Sequence, residues 1–227
     1  MLRTPVPRPG ALRHHAWGVT VRDMSGPASS STSPTSTLQS GLDRLAREYH
    51  TTADVSALRE QMAALIAGAT PDAMIAAAEP YRDEPEIIAP IYEAIVAAQP
   101  ENARALVTLA NAWWLQGRGP QAVGELASRA IAADPTHRGA WHLWALSEPD
   151  PRARVTRWQQ VSERFPTDHL ALAAMADNAA SVAGAEHDYA MLDLAIEIYE
   201  RLLGSSTDDA QRAALTTALE ALKAWRF

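Results

Sequence analysis

Nineteen arginines, seven histidines and no cysteine limit the chemistry open to this 227-residue chain. Without cysteine there is no disulfide, thiolate metal ligand, thiol nucleophile or acylated lipoprotein anchor. His137 and His142 stand five residues apart. Two ligands on one helix face need a spacing of three or four, and no third ligand lies near them in the chain, so the pattern gives no metal site. Arg152, Arg154 and Arg157 gather at the start of a helical segment, where their charge opposes the macrodipole. That cluster reads either as a place for a bound anion or as a solvated surface balanced by Glu148 and Asp150. Trp113 and Trp114 are adjacent, and neighbouring helical residues point about 100° apart. Trp113 is expected in the core; Trp114 is either open to a partner or packed on the next helix. A glycine-rich phosphate loop, a Gly-x-Ser-x-Gly elbow and a carboxylate pair placed to shift a pKa are all missing. The expectation is a non-catalytic chain with neither cofactor nor metal.

Charge narrows the partners. Residues 1 to 40 hold four arginines against Asp23, a net +3, which leaves −10 on the remainder of a chain whose total is −7. An acidic body repels phosphate backbones, so nucleic acid is not expected as a partner. No apolar run approaches the ~20 residues of a membrane span. The N-terminus also lacks the apolar stretch of a secretory signal, and the default location is the cytoplasm. The Ser/Thr/Pro-rich stretch from Ser25 to Ser36 buries too little apolar surface to offset its chain entropy. A disordered tail over 1–40 is therefore expected, with Met24 as an alternative start, and a helical domain over 41–227.

The elements that must position any site are helices. Alanine supplies about a fifth of the residues, and aromatics only 6%. Asp54 and Thr70-Pro71 open two early segments, and a third runs from about Pro85 to Gln99 with Pro90 near its start. A phrase then recurs three times. Pro100, Pro135 and Pro166 are each followed by an alanine five residues on (Ala105, Ala140, Ala171) and a large apolar residue (Leu106, Trp141, Leu172). A second large residue follows (Leu109, Trp144, Met175), then a small one (Ala110, Ala145, Ala176). Spacings of 35 and 31 residues indicate stacked helical hairpins. The first pairs Asn102–Gln116 with Pro120–Ala133 across Gly117-Arg118-Gly119. The second joins a short helix through Trp141 and Trp144 to one capped by Asp150, with Trp141 and Trp158 expected in its core. The third runs from Thr167 to Ala183 and turns at Gly184, and Thr207 is expected to cap a final amphipathic helix.

On these residues the chain resembles the tetratricopeptide repeat family. Leu106, Leu109, Ala110, Trp113, Gly117, Ala122, Ala130 and Pro135 carry the resemblance best, and the later copies are shortened or extended at their turns. It covers roughly Pro85 to Leu203. The fold it implies is all-α, a right-handed superhelix of antiparallel helix hairpins, an α-α solenoid. The function it implies is protein or peptide recognition in a concave groove lined by the first helix of each pair. Mapped onto this chain, that face offers Arg104, Thr108, Asn111 and Trp114, then Arg138 and His142, then Asp177 and Asn178. Arg and Asn suit a carboxylate and backbone amides. The family's carboxylate-clamping variant wants polar groups where this chain has Val107 and Leu146. An adaptor or scaffold is the first reading. The alternatives are a helical enzyme or small-ligand binder using a pocket between hairpins, and a homodimer formed through the alanine-rich helix Leu170–Ala183.

Overall fold

The computed structural model describes residues 34 to 225. Among them the chain forms eleven α-helices and no strand: α1 (Pro34–Thr52), α2 (Val55–Ile66), α3 (Pro71–Ala78), α4 (Pro85–Ala98), α5 (Ala103–Leu115), α6 (Pro120–Ala133), α7 (Arg138–Leu146), α8 (Pro151–Arg164), α9 (His169–Glu186), α10 (Tyr189–Ser205) and α11 (Asp209–Lys223). Apart from α2 and α3, consecutive helices pack on one another; α1 also packs on α3, α2 on α4 and α5 on α7.

The helix starts obey local chemistry. Asp54, Thr70, Asn102, Asp150, Asp168, Asp188 and Asp208 each accept a hydrogen bond from a backbone N–H in the first turn. This satisfies donors that the helix itself leaves orphaned. Pro71, Pro85, Pro120 and Pro151 occupy first turns, where a missing N–H costs nothing. The turn between α5 and α6 needs left-handed backbone at Gly117 (φ +69°) and Gly119 (φ +91°), which glycine adopts without strain.

The core is a row of aliphatic side chains interleaved with alanines. Ala105, Ala110, Ala127, Ala130, Ala140, Ala145, Ala171, Ala176 and Ala195 are all essentially inaccessible to solvent. The buried residues fall into two clusters. One runs from Leu38 to Leu143, the other from Ala145 to Leu222, and Trp144 packs against both. The boundary between them passes through α7, which has nine residues against thirteen in α5.

Four expectations need correction. The first helix begins at Pro34, not near 41, because Leu38, Leu42 and Leu45 recur at helical spacing and are buried; the part of the expected tail before it lies outside the described residues. Gly184 is inside α9, which continues to Glu186 and ends at His187 in left-handed backbone (φ +54°). Its missing side chain serves packing instead: a Cβ there would meet the Trp225 ring at 3.2 Å. The last helix is capped by Asp208 rather than Thr207, since α10 runs on through Gly204. Finally, Trp158 is buried at 4% exposure, but Trp141 is only half-buried and donates its indole N–H to the Pro135 carbonyl at 3.0 Å. Trp158→Ala should therefore cost ~3–5 kcal/mol in urea unfolding, and Trp141→Ala distinctly less. Equal losses would show that the second hairpin packs differently.

Candidate functional site

The first helices of the hairpins are α5, α7 and α9. On α5 the face away from the core carries Arg104, Thr108, Asn111 and Trp114. The Arg104 guanidinium is exposed and makes no ion pair or hydrogen bond among the described residues. Thr108 is half-buried, and its hydroxyl donates to the Arg104 carbonyl at 3.0 Å. Asn111 is exposed, and its amide has no partner among the described residues. Trp114 is 37% exposed, beside Leu115 at 59%. Trp113 turns the other way. Its indole N–H donates to Glu93 Oε1 at 3.0 Å and the Arg118 guanidinium sits 5.1 Å from its ring centre.

α7 lies against α5 at Gly139, where a Cβ would be 3.5 Å from Val107 Cγ1. This contact brings the start of α7 beside the start of α5, and Arg104 acts electrostatically on Asp134 just ahead of α7. Arg138 is exposed, with Nε 3.7 Å from Asp168 Oδ2. His142 is drawn inward: Nε2 lies 2.6 Å from Asp168 Oδ2, and its ring centre is 5.5 Å from that of Trp158.

Asp168, absent from the expected site, organises this corner. It is 4% exposed. Oδ1 accepts from the N–H groups of Leu170 and Ala171 at 3.1 and 3.2 Å, while Oδ2 faces His142 and Arg138. Burial alone would raise its pKa. The hydrogen bonds from His142 and the Ala171 N–H, aided by the charge of Arg138, win and hold the carboxyl below the usual carboxylate range. The signal in the chain was its place two residues after Pro166, where a helix needs a cap.

On α9 the expected residues are committed within the fold. Asp177 accepts a short hydrogen bond from the Tyr199 hydroxyl of α10. Burial, with the Asp177 carboxylate, pushes that phenol well above its ordinary value. Asn178 donates to the Ala174 carbonyl at 2.7 Å and accepts from Arg154 at 3.5 Å. Of the alanines in the helix Leu170–Ala183, Ala171, Ala176, Ala179 and Ala183 are buried inside the chain, while Ala173, Ala174 and Ala180 are half-buried.

The arginine cluster on α8 is likewise occupied. Arg152 pairs with Glu186 at 2.7 Å and with Asp188. Arg154 donates to the carbonyls of Glu148 (2.6 Å) and Pro149 (3.2 Å). Arg157 donates to the Trp144 carbonyl at 2.7 Å, pairs with Glu148 at 2.6 Å, and stacks 4.5 Å from the Trp144 ring centre. With its cations so engaged, the solvated-surface reading fits and an anion site does not. Among the described residues no group of three or more His, Cys, Asp or Glu could hold a metal ion. No described helix is long and apolar enough to cross a membrane.

The geometry predicts an acid limb in stability. Because the Asp168 pKa is depressed on folding, its contribution is present above the unfolded carboxylate value and is lost as pH falls below about 4. Asp168→Asn, which keeps a good cap but removes the charge facing His142 and Arg138, should lose ~1–2 kcal/mol at pH 7, and it should show a shallower decline in acid. Identical acid limbs in melting experiments would remove Asp168 from this role.

No family model matches the chain, and no curated protein does. Solved structures do match. The crystal structure of MamA aligns over 75% of this chain and 97% of its own, at 13% identity and a TM-score of 0.51. TTC0263, described as a thermophilic TPR protein in Thermus thermophilus, aligns over 80% and 98%, at 16% identity and a TM-score of 0.51. YrrB, described as a TPR protein with an unusual peptide-binding site, aligns over 79% and 87%, at 18% identity and a TM-score of 0.51. At such identities the likeness speaks for architecture alone, and with the recurring hairpins it places this chain in the tetratricopeptide-repeat fold.

Proposed function

We propose that the protein is a non-catalytic adaptor or scaffold that binds a protein or peptide segment along the face formed by α5 and the start of α7. One observation supports this above others. Arg104, Asn111 and Trp114 stand on one helix face, and the first two carry polar groups that nothing among the described residues satisfies. Arg104, exposed at the start of α5 and without an ion pair among the described residues, offers a cationic spot within an acidic body, with Arg138, which leans on Asp168, at the start of the neighbouring helix. Such a spot selects a partner with a well-placed anionic group. Asn111 suits a backbone amide, and Trp114 supplies apolar area at low entropic cost. Thr108 and His142 shape this face from within, whereas Asp177 and Asn178 serve packing. The reading takes the partner to be protein rather than nucleic acid or membrane, met in the cytoplasm.

A pull-down identified by mass spectrometry would supply the partner, and calorimetry would test the face. Arg104→Glu and Trp114→Ala should each weaken binding by ~2 kcal/mol without lowering the melting temperature. Arg154→Glu is an unsuitable control, because Arg154 holds the α7–α8 turn. Gln160→Arg, on the exposed side of α8, should leave affinity unchanged. Loss of binding in Gln160→Arg with normal binding in the α5 variants would overturn the reading.

A further inference from the structure

A second surface arises because α7 is short. Where α7 stops at Leu146, a cleft of about 950 Å³ opens between the first half of α6 and the α7–α8 turn. Gly124 forms part of its wall: a Cβ there would lie 2.8 Å from Ser147 Oγ, so α6 and the end of α7 meet without a side chain between them. Trp144 borders the cleft on one side and Gln121 and Glu125 on the other.

The charges sort themselves. Arg157 is neutralised by Glu148 at 2.6 Å and Arg118 by Glu93 at 3.4 Å, so neither guanidinium at the rim calls for an anion. Glu125 is exposed and has no partner among the described residues. Among the same residues the Trp144 indole N–H is also unpartnered and is not sealed from solvent, and the Gln121 amide is free. An unpaired carboxylate, an indole donor and an amide beside one cleft suit an extended backbone bearing a cation. The indole would take a carbonyl and the amide a peptide group. Several residues would fit in a volume of this size. The net charge of −10 outside the first 40 residues draws such a ligand in.

We infer that this cleft is a docking site for an extended peptide segment carrying an arginine or lysine, whose cation pairs with Glu125 and whose backbone carbonyl accepts from the Trp144 indole. It is separate from the α5 face, which suits an anionic group, and each can fail without the other.

The test is selection from a displayed library of random twelve-residue peptides on the full chain, with counter-selection on Glu125→Arg. Enriched peptides should carry Arg or Lys. By fluorescence anisotropy they should bind Glu125→Arg at least tenfold more weakly and Glu125→Gln several-fold more weakly. Trp144→Phe, which keeps a ring but removes the N–H, should also weaken them several-fold. Arg104→Glu and Trp114→Ala should bind them as the unaltered chain does. Because Glu125 is exposed, its variants should melt normally and remain interpretable even if Trp144→Phe is unstable. No enrichment, enrichment of peptides without a cation, or equal binding by Glu125→Arg would overturn the inference. So would loss confined to the α5 variants.

Discussion

Everything in this molecule depends on helices approaching one another across alanine. At the contacts between α5, α6, α7, α9 and α10 the recurring inaccessible residue is a methyl group, with leucine, isoleucine or valine beside it. A methyl lets two backbones come close, and the larger neighbours fill the remaining space at the density of a solid. The arrangement has little tolerance. Any larger group at Ala110 or Ala145 must displace a whole helix, and the next hairpin rides on that helix. The same economy appears where the chain dispenses with the methyl as well, at Gly139 against Val107 and at Gly184 beneath Trp225.

Two carboxylates lock what the alanines bring together. Glu93 on α4 takes both oxygens to Arg59 of α2 at 3.0 and 3.1 Å, accepts the Trp113 N–H at 3.0 Å, and stands 3.4 Å from Arg118. Asp168 does comparable work between α7 and α9. In each case one acidic group collects donors from elements far apart in the chain, and most of its hydrogen-bonding capacity is used. Charge-assisted bonds of this kind fix direction as well as distance. They turn helices that could slide on smooth alanine surfaces into a single register. Arg118 over Trp113 follows the same logic, with Glu93 holding the guanidinium and the ring providing its bed, and Glu148 does likewise for Arg157 over Trp144.

The fold was legible because its signals are local. Proline at a first turn, a capping Asp, Asn or Thr and the 3,4 spacing of apolar residues each act within a few residues. Helices α5 and α6 begin and end within a residue of where those signals put them, and α8 begins where its Asp150 cap puts it. Two of the misreadings, at Gly184 and after Gly204, came from glycine, which ends a helix only if the backbone turns left-handed there. Gly184 keeps helical backbone because Trp225, far along the chain, needs the space. The site was less legible for the same reason. Arg104, Asn111 and Trp114 could be placed by counting along one helix, whereas the inward turn of His142 and the engagement of Asp177 depend on Asp168 and Tyr199, which no spacing rule connects to them.

The division of the core at α7 has a consequence for how the molecule holds together. In a repeat array, stability is a sum over neighbouring contacts, and cooperativity is no stronger than its weakest junction. Here the two apolar clusters meet at a nine-residue helix and share one tryptophan. Amide protons in α4–α6 and in α8–α10 are expected to exchange through separate opening events, with α7 setting the coupling between them. A ligand bridging α6 and the α7–α8 turn would raise that coupling, so occupancy on the outside of the array would be felt as rigidity along its length.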